Sequence, residues 1–249
     1  MTGCLPIALD RATRVVQALL SAGKEYICLM HIHKEVSEAE IKKTFEFFRG
    51  KITQLPPLKS AVKRQLRERN VYYLDILDIQ DQDVLFKVGC QAGTYIRKIC
   101  SDFGKKLGTQ SHMQQLIRTK AGPFTQDSWV SLQDLKDAYE LYKEGKESQI
   151  RKVIQPYENA VAHLPKVYVF DSAVANICHG AEVYVSGVSK FNELASEEQV
   201  AIMTLKDELI GLGTSKMSTE EILTLNKGVA VKTAAVFMPI DLYPKIRLC

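Results

Sequence analysis

The stretch "GCQAGTYIRKICSDFG" (residues 89–104) reads as a strand end, a glycine turn and a helix opening at Thr94. Arg97 falls in the first turn of that helix. Helix N-termini carry partial positive charge, so a cation there is misplaced unless an anion faces it. Arg97 is therefore posed as a residue that meets a negative group. A second cationic element is "LPPLKSAVKRQLRERN" (55–70), where Lys59, Lys63, Arg64, Arg67 and Arg69 stand against one acid, Glu68. Its two leading prolines disfavour a helix through them. A basic excursion between two strands suits a loop that grips a phosphate backbone. A solvated helix face is the bland reading of the same charges. His31 and His33 share a strand face at i, i+2. Two imidazoles can begin a metal site, but no third ligand is near in sequence, and ordinary strand polar residues are the simpler reading. No Walker loop, GxGxxG or GxSxG is present, which leaves nucleotide, dinucleotide and hydrolase chemistry without support.

The elements that must position these residues have clear local signals. "KEYICLMHIH" (24–33) predicts a strand. "SEAEIKKTFEFFRG" (37–50) predicts a helix with a Ser37–Glu40 capping box, Ile41, Phe45 and Phe48 on one face, and Gly50 as its close. "VYYLDILDI" (71–79) and "DVLFKVGC" (83–90) predict a hairpin. The helix from Thr94 to about Leu107 places Tyr95, Ile99, Phe103 and Leu107 near one stripe, and Gly108 ends it. "HMQQLIRTKAG" returns extended, and two helices follow near 132–144 and 147–155. The texture changes at "HLPKVYVFDS" (163–172). Short strands then alternate with turns: "KVYVF", "AEVYV", "QVAIMTL", "ELIGLG" and "GVAVKTAAVFM", with a short helix "SAVANIC" after the first. This predicts a separate small β-rich barrel, with a boundary near Leu164-Pro165.

Of the 249 residues 46% are hydrophobic, enough for a packed core. No apolar run is long enough to span a bilayer, so no membrane partner is expected. The N-terminus lacks the pattern of a secretory signal. Six cysteines without a CxxC pair fit a reducing compartment, the cytoplasm, with thiols buried as small apolar groups and no zinc site. The net charge of +4 hides an asymmetry. Residues 1–120 hold 20 Lys/Arg against 12 Asp/Glu, whereas residues 121–249 hold 13 against 17. The first half is thus the better candidate for touching a polyanion.

Several stretches together resemble one family. "TGCLPIALDRATRVVQALLSAGKEY", "LPPLKSAVKRQLR", "AGTYIRKIC" and "HMQQLIRTKAGPF" resemble the pseudouridine synthases that include bacterial tRNA pseudouridine synthase B and eukaryotic dyskerin, with the archaeal dyskerin homologue nearest. "LPKVYVFDSAVANICHGAEVYV" and "VAIMTLKDELIGLG" resemble the PUA domain of that homologue. The resemblance covers nearly the whole chain, with the motifs in the right order, and the short end "YPKIRLC" looks archaeal. It implies an α+β fold: a mixed-sheet catalytic domain over residues 1–163, then a PUA barrel over 164–249. It implies that Arg97 holds a catalytic Asp by an ion pair, that Tyr26 packs against a flipped base and takes part in later proton removal, and that Leu116 lines the pocket. Lys59, Lys63, Arg64, Arg67, His179, Gly180 and Lys206 are the implied RNA-binding residues.

The implied chemistry breaks the C–N glycosidic bond of a uridine in rRNA or tRNA and remakes the link through carbon. It needs no metal or cofactor, only a base taken out of its stack and one positioned carboxylate. The implied partners are a guide RNA of the box H/ACA type, the substrate RNA, the small core proteins of that particle and a kink-turn-binding ribosomal-type protein. One departure stands out. The family's Asp lies in a "GTLDPxVTG" stretch, and the chain opens at "MTG", so that Asp is expected three residues before Met1. Asp10 is not a substitute. Residues 1–249 alone are expected to be inactive, which keeps a non-catalytic RNA-binding scaffold as the alternative. A small-molecule α/β enzyme is a weaker rival, for want of a phosphate-cradling glycine loop.

Overall fold

The computed structural model describes residues 2–57 and 62–244. The chain divides into two compact units, one of Met1–Ile7 and Leu19–Leu132, the other of Ala8–Ala18 and Gln133–Cys249.

The first unit is built on a mixed sheet. Strand β1 (Thr2–Gly3) comes first, and after helix α1 (Val16–Ser21) the chain enters β2 (Lys24–Ile32). Then follow α2 (Glu38–Glu46), β3 (Gly50–Gln54), β4 (Arg67–Gln80), β5 (Asp83–Cys90), α3 (Ile96–Lys106), β6 (Ser111–Ala121) and β7 (Phe124–Thr125). The sheet order is β1-β6-β2-β5-β4-β3, with β7 added on β6. Only β1 runs parallel to its neighbour. β2 buries alternate residues, Cys28, Met30 and Ile32, against Val84, Phe86 and Val88 of β5 and against both helices. The rings of Phe45 on α2 and Phe86 lie 5.3 Å apart, and those of Phe45 and Phe103 on α3 4.7 Å apart.

The local signals hold where they are strongest. The Ser37–Glu40 capping box is formed, with both reciprocal bonds. Three readings are corrected. α3 begins at Ile96, because the Thr94 hydroxyl bonds back to the Gln91 carbonyl and keeps that residue in the turn. Its buried stripe is therefore Ile96, Ile99, Cys100 and Phe103, and Tyr95 is the N-cap. Gly50 does not close α2; the cap there is Phe47, and Gly50 opens β3, a strand with little sequence signal. Finally, residues 67–70 are not loop. They pair with β3, Gln54 opposite Arg67 and Ile52 opposite Arg69, so a partner strand overrides the weak β-propensity of "RERN".

The second unit begins with helices α4 (Leu132–Lys143) and α5 (Glu147–Val153). β8 (Lys166–Val169), α6 (Asp171–Cys178), β9 (Val183–Tyr184), β10 (Val188–Phe191), β11 (Gln199–Thr204), β12 (Leu209–Ser215), α7 (Thr219–Thr224) and β13 (Val229–Val236) complete it. Its sheet runs β10-β8-β11-β12-β13-β9 and is near-barrel in form. β8 and β11 pair in parallel, and the remaining pairs are antiparallel. Val167, Val169, Val200, Ile202, Ile210 and Val231 fill it without exposure. β10 and α7 add to the expected elements; the Ser218–Glu221 capping box marks α7 in the sequence.

The five described cysteines, Cys4, Cys28, Cys90, Cys100 and Cys178, are buried and unbridged. No helix of the described residues is long and apolar enough to cross a membrane.

Candidate active site and RNA-facing residues

Tyr26 shares the inner face of β2 with Cys28, Met30 and Ile32 by the two-residue period of a strand. It opposes Val88 on β5 and Arg118 on β6, and Cys28 opposes Leu116. Tyr26 and Leu116 therefore lie on one face, the face on which α3 packs through Ile96, Ile99 and Phe103. The β2–β6 register slips between Glu25 and Tyr26, and such bulges re-aim side chains beside functional sites. Burial pushes the Tyr26 phenol above its ordinary pKa, and neighbouring Cys90 adds to this; Arg118, within hydrogen-bonding reach, opposes both. The phenol is thus neutral at physiological pH. Cys90 is no nucleophile either, since burial raises its thiol to about 11, against smaller opposing effects of Thr94 and Lys24.

Arg97 is the second residue of α3 and is exposed. Among the described residues it has no hydrogen bond and no carboxylate partner. The next residue behaves differently: Lys98 Nζ sits 2.6 Å from Asp102 one turn on. The unpaired cation at the positive end of a helix, posed by the sequence, is thus the observed geometry. Tyr26, Leu116 and the α3 N-terminus come together in one unit.

The turn that launches α3 is unusually well held. The buried Gln54 side chain donates from Nε2 to the Tyr95 carbonyl (3.1 Å) and accepts at Oε1 from the Tyr95 N–H (3.0 Å). Asn70 and Gln91 exchange two further bonds. Gly93, at φ +79°, has the Arg69 guanidinium over it, where a Cβ would stand 3.3 Å from Nε.

The opposite face of the sheet carries a different polar group. Glu25 accepts from the Thr119 hydroxyl (2.6 Å), the Tyr73 hydroxyl (2.5 Å) and Lys87 Nζ (3.1 Å), so one carboxylate ties β4, β5 and β6 to β2. Gly89 makes this reachable, because any Cβ there would overlap the Tyr73 ring. Burial raises the Glu25 carboxyl, but the donors outweigh it and leave it below the ordinary range. Burial and the bond to Glu25 push Tyr73 far upward.

The implied RNA-binding residues are scattered. Lys59 lies outside the described residues. Lys63 and Arg64 are exposed in irregular chain. Arg67 and Arg69 are half-buried on β4, each with a buried Nε that has no partner among the described residues. His179 caps α6 and bonds through Nδ1 to the Ala175 carbonyl at 2.7 Å, and Gly180 follows at φ +92°. Lys206, in the β11–β12 turn, stands 5.4 Å from the Tyr243 ring centroid. One cluster has no local sequence signal. The register puts His112 of β6 opposite His31, so His31, His33 and His112 gather with ring centroids 5.0–5.8 Å apart. His31 Nδ1 bonds Asp83 at 2.6 Å and His33 Nε2 bonds His112 Nδ1 at 2.8 Å. Among the described residues no three His, Cys, Asp or Glu converge as metal ligands.

A bulged strand tyrosine, an apolar neighbour and an unpaired helix-N-terminal arginine on one sheet face, in a chain with a second β-rich unit, define a base-modifying RNA enzyme class. Comparisons with known proteins identify which. The TruB family pseudouridylate synthase N-terminal domain matches residues 1–96, the tRNA pseudouridylate synthase B C-terminal domain residues 97–162, and the PUA domain residues 165–237. The chain belongs to the TruB family of pseudouridylate synthases. It is 54% identical over 249 residues to the probable tRNA pseudouridine synthase B of Pyrococcus abyssi, covering 99% of this chain and 75% of that protein. It superposes on the crystal structure of a Cbf5–Nop10–Gar1 complex with a TM-score of 0.94 at 52% identity, over 98% of this chain and 75% of that one. A second structure, an H/ACA RNP bound to a substrate RNA containing 2'-deoxyuridine, gives 0.87 at 49% identity, over 96% and 73%.

Proposed function

We propose that this chain works in a guided particle that isomerises uridine to pseudouridine in rRNA or tRNA, with residues 1–163 as its catalytic part and 164–249 as its PUA part. The observation that carries this reading is the exposed, unpaired Arg97 on the same face as Tyr26 and Leu116. In it, Arg97 fixes the nucleophilic Asp of the "GTLDPxVTG" motif by an ion pair, which answers why a cation sits at a helix N-terminus. The neutral Tyr26 ring stacks on the extruded uracil and stands ready for the later proton transfer, and Leu116 closes the apolar wall. The base leaves its stack and its C–N bond breaks under attack by the held carboxylate, and the sugar is rejoined through carbon.

Lys63, Arg64 and Arg67 grip phosphates of the substrate duplex, and His179, Gly180 and Lys206 serve the PUA part. Relatives crystallised with Nop10 and Gar1, and as an H/ACA RNP on substrate RNA, support a guide RNA, small core proteins and a kink-turn-binding protein as partners. The cytoplasm, with its reduced thiols, is the compartment that suits these contacts. The test is tritium release from 5-labelled uridine by the full-length protein reconstituted with guide RNA and partners. Guide-dependent release supports the reading. A second reading, an RNA-binding scaffold, draws on the lack of any carboxylate against Arg97 among the described residues. Tight guide-RNA binding without tritium release from the full-length protein would establish it instead.

A further inference from the structure

We infer that Gln54 is a positioning residue for the isomerisation, acting through the backbone of Tyr95 to set where Arg97 points. The inference rests on the reading of Arg97 given above. Gln54 ends β3, whose buried positions are Ile52 and Gln54. An amide at a core position, 3% exposed, needs both its donor and its acceptor satisfied. Both go to a single residue, Tyr95, in a ring of two bonds of 3.1 and 3.0 Å. That residue is the N-cap of α3, with φ −95° and ψ 103° and no side-chain cap of its own. Its carbonyl also accepts the first helical bonds, from Lys98 and Ile99. The Gln54 amide therefore holds the peptide from which the helix starts, two residues before Arg97.

An N-terminal turn frays unless its unbonded N–H groups find partners. Here β3 supplies the restraint from 41 positions away in sequence. The other contacts to this turn come from β4: Asn70 bonds Gln91, and Arg69 covers Gly93. They hold the residues before Tyr95. Gln54 alone of these touches the cap itself. An exposed Arg97 with no partner among the described residues has nothing else to fix its direction except the orientation of its own backbone. A displacement of about 1 Å in such a group costs on the order of 100-fold in rate.

The test uses the full-length protein assembled with guide RNA and partner proteins, and reads single-turnover tritium release beside substrate-RNA affinity. Gln54→Met, similar in volume but without the amide, should slow turnover by about 100-fold and leave the dissociation constant nearly unchanged. Gln54→Glu keeps the reach and the acceptor for the Tyr95 N–H, and should recover much of the loss. Rates are normalised to folded protein by near-ultraviolet circular dichroism. A normalised Gln54→Met rate equal to the parent's would make Gln54 structural only and overturn the inference. Arg97→Lys supplies the second axis. If Gln54 acts through Arg97, Gln54→Met should cost no more than about threefold in the Arg97→Lys background, since coupled residues are non-additive. An undiminished cost there refutes Gln54 while the Arg97 reading stands. An Arg97→Lys enzyme as fast as the parent removes the Arg97 reading, and this inference with it.

Discussion

The two faces of the first sheet treat their charges in opposite ways. On the outer face Glu25 is surrounded by donors from three strands, and its carboxylate is stabilised within the chain. On the inner face Arg97 is left without any partner among the described residues, and on β4 Arg67 and Arg69 each keep a buried, unbonded Nε. Burying a polar group without a hydrogen bond costs about 1–3 kcal/mol. A fold tolerates such groups where a ligand completes them. The difference separates the residues that hold the sheet from those that await RNA and substrate, although both kinds are charged and both lie on or beside the same strands.

Mutation should divide along that line. Arg97→Ala in the reconstituted full-length enzyme should cut tritium release by about 100- to 1000-fold. Thermal unfolding should move little, because the Arg97 guanidinium bonds to nothing among the described residues. A large fall in melting temperature with modest loss of rate would put Arg97 in the class of Glu25.

Glu25→Gln should do the reverse. It keeps the shape but weakens bonds to a charged acceptor, for a loss of about 1–3 kcal/mol in denaturant unfolding, with the residual activity tracking the folded fraction. The pH dependence has a definite sign. The folded-state pKa of Glu25 is depressed, so its contribution is present above the ordinary carboxylate value and is lost as pH falls through the depressed one. Tyr73 is raised, so its contribution is present below the ordinary phenol value and declines as pH rises past it. Glu25→Gln should therefore flatten the acid limb of the stability curve. An acid limb identical to the parent's would mean the carboxylate is not the hub that the bond pattern describes.

The smallest stability effect is expected from Lys63 and Arg64. The double change to Ala should alter unfolding by no more than about 0.5 kcal/mol. RNA binding should still weaken, and the salt dependence should flatten by roughly 0.7–0.9 in log–log slope for each phosphate that is no longer neutralised. An unchanged slope would remove these two cations from the RNA-facing set.

Much of the fold was legible because its signals are local. The Ser37–Glu40 box, the alternation of β2, the hairpin of β4 and β5 and the valine-rich strands of the second unit are written in neighbours two to four residues apart. The oddity of Arg97 was legible for the same reason, since it depends only on distance from a helix start. β3 was not, because "GKITQ" is short, follows a helix and is defined by pairing with β4.

The sequence by itself thus determined the elements, the two β-rich regions, the family motifs and the charge problem at the head of α3. Only the tertiary structure decided that Glu25 faces away from Tyr26 and gathers three strands, that His112 joins His31 and His33, and that Gln54 clamps Tyr95. Each of those joins residues more than 40 positions apart, or turns on a one-residue register slip. A strand's side chains change face with every residue, so register, which pairing between distant strands sets, chooses which polar groups meet.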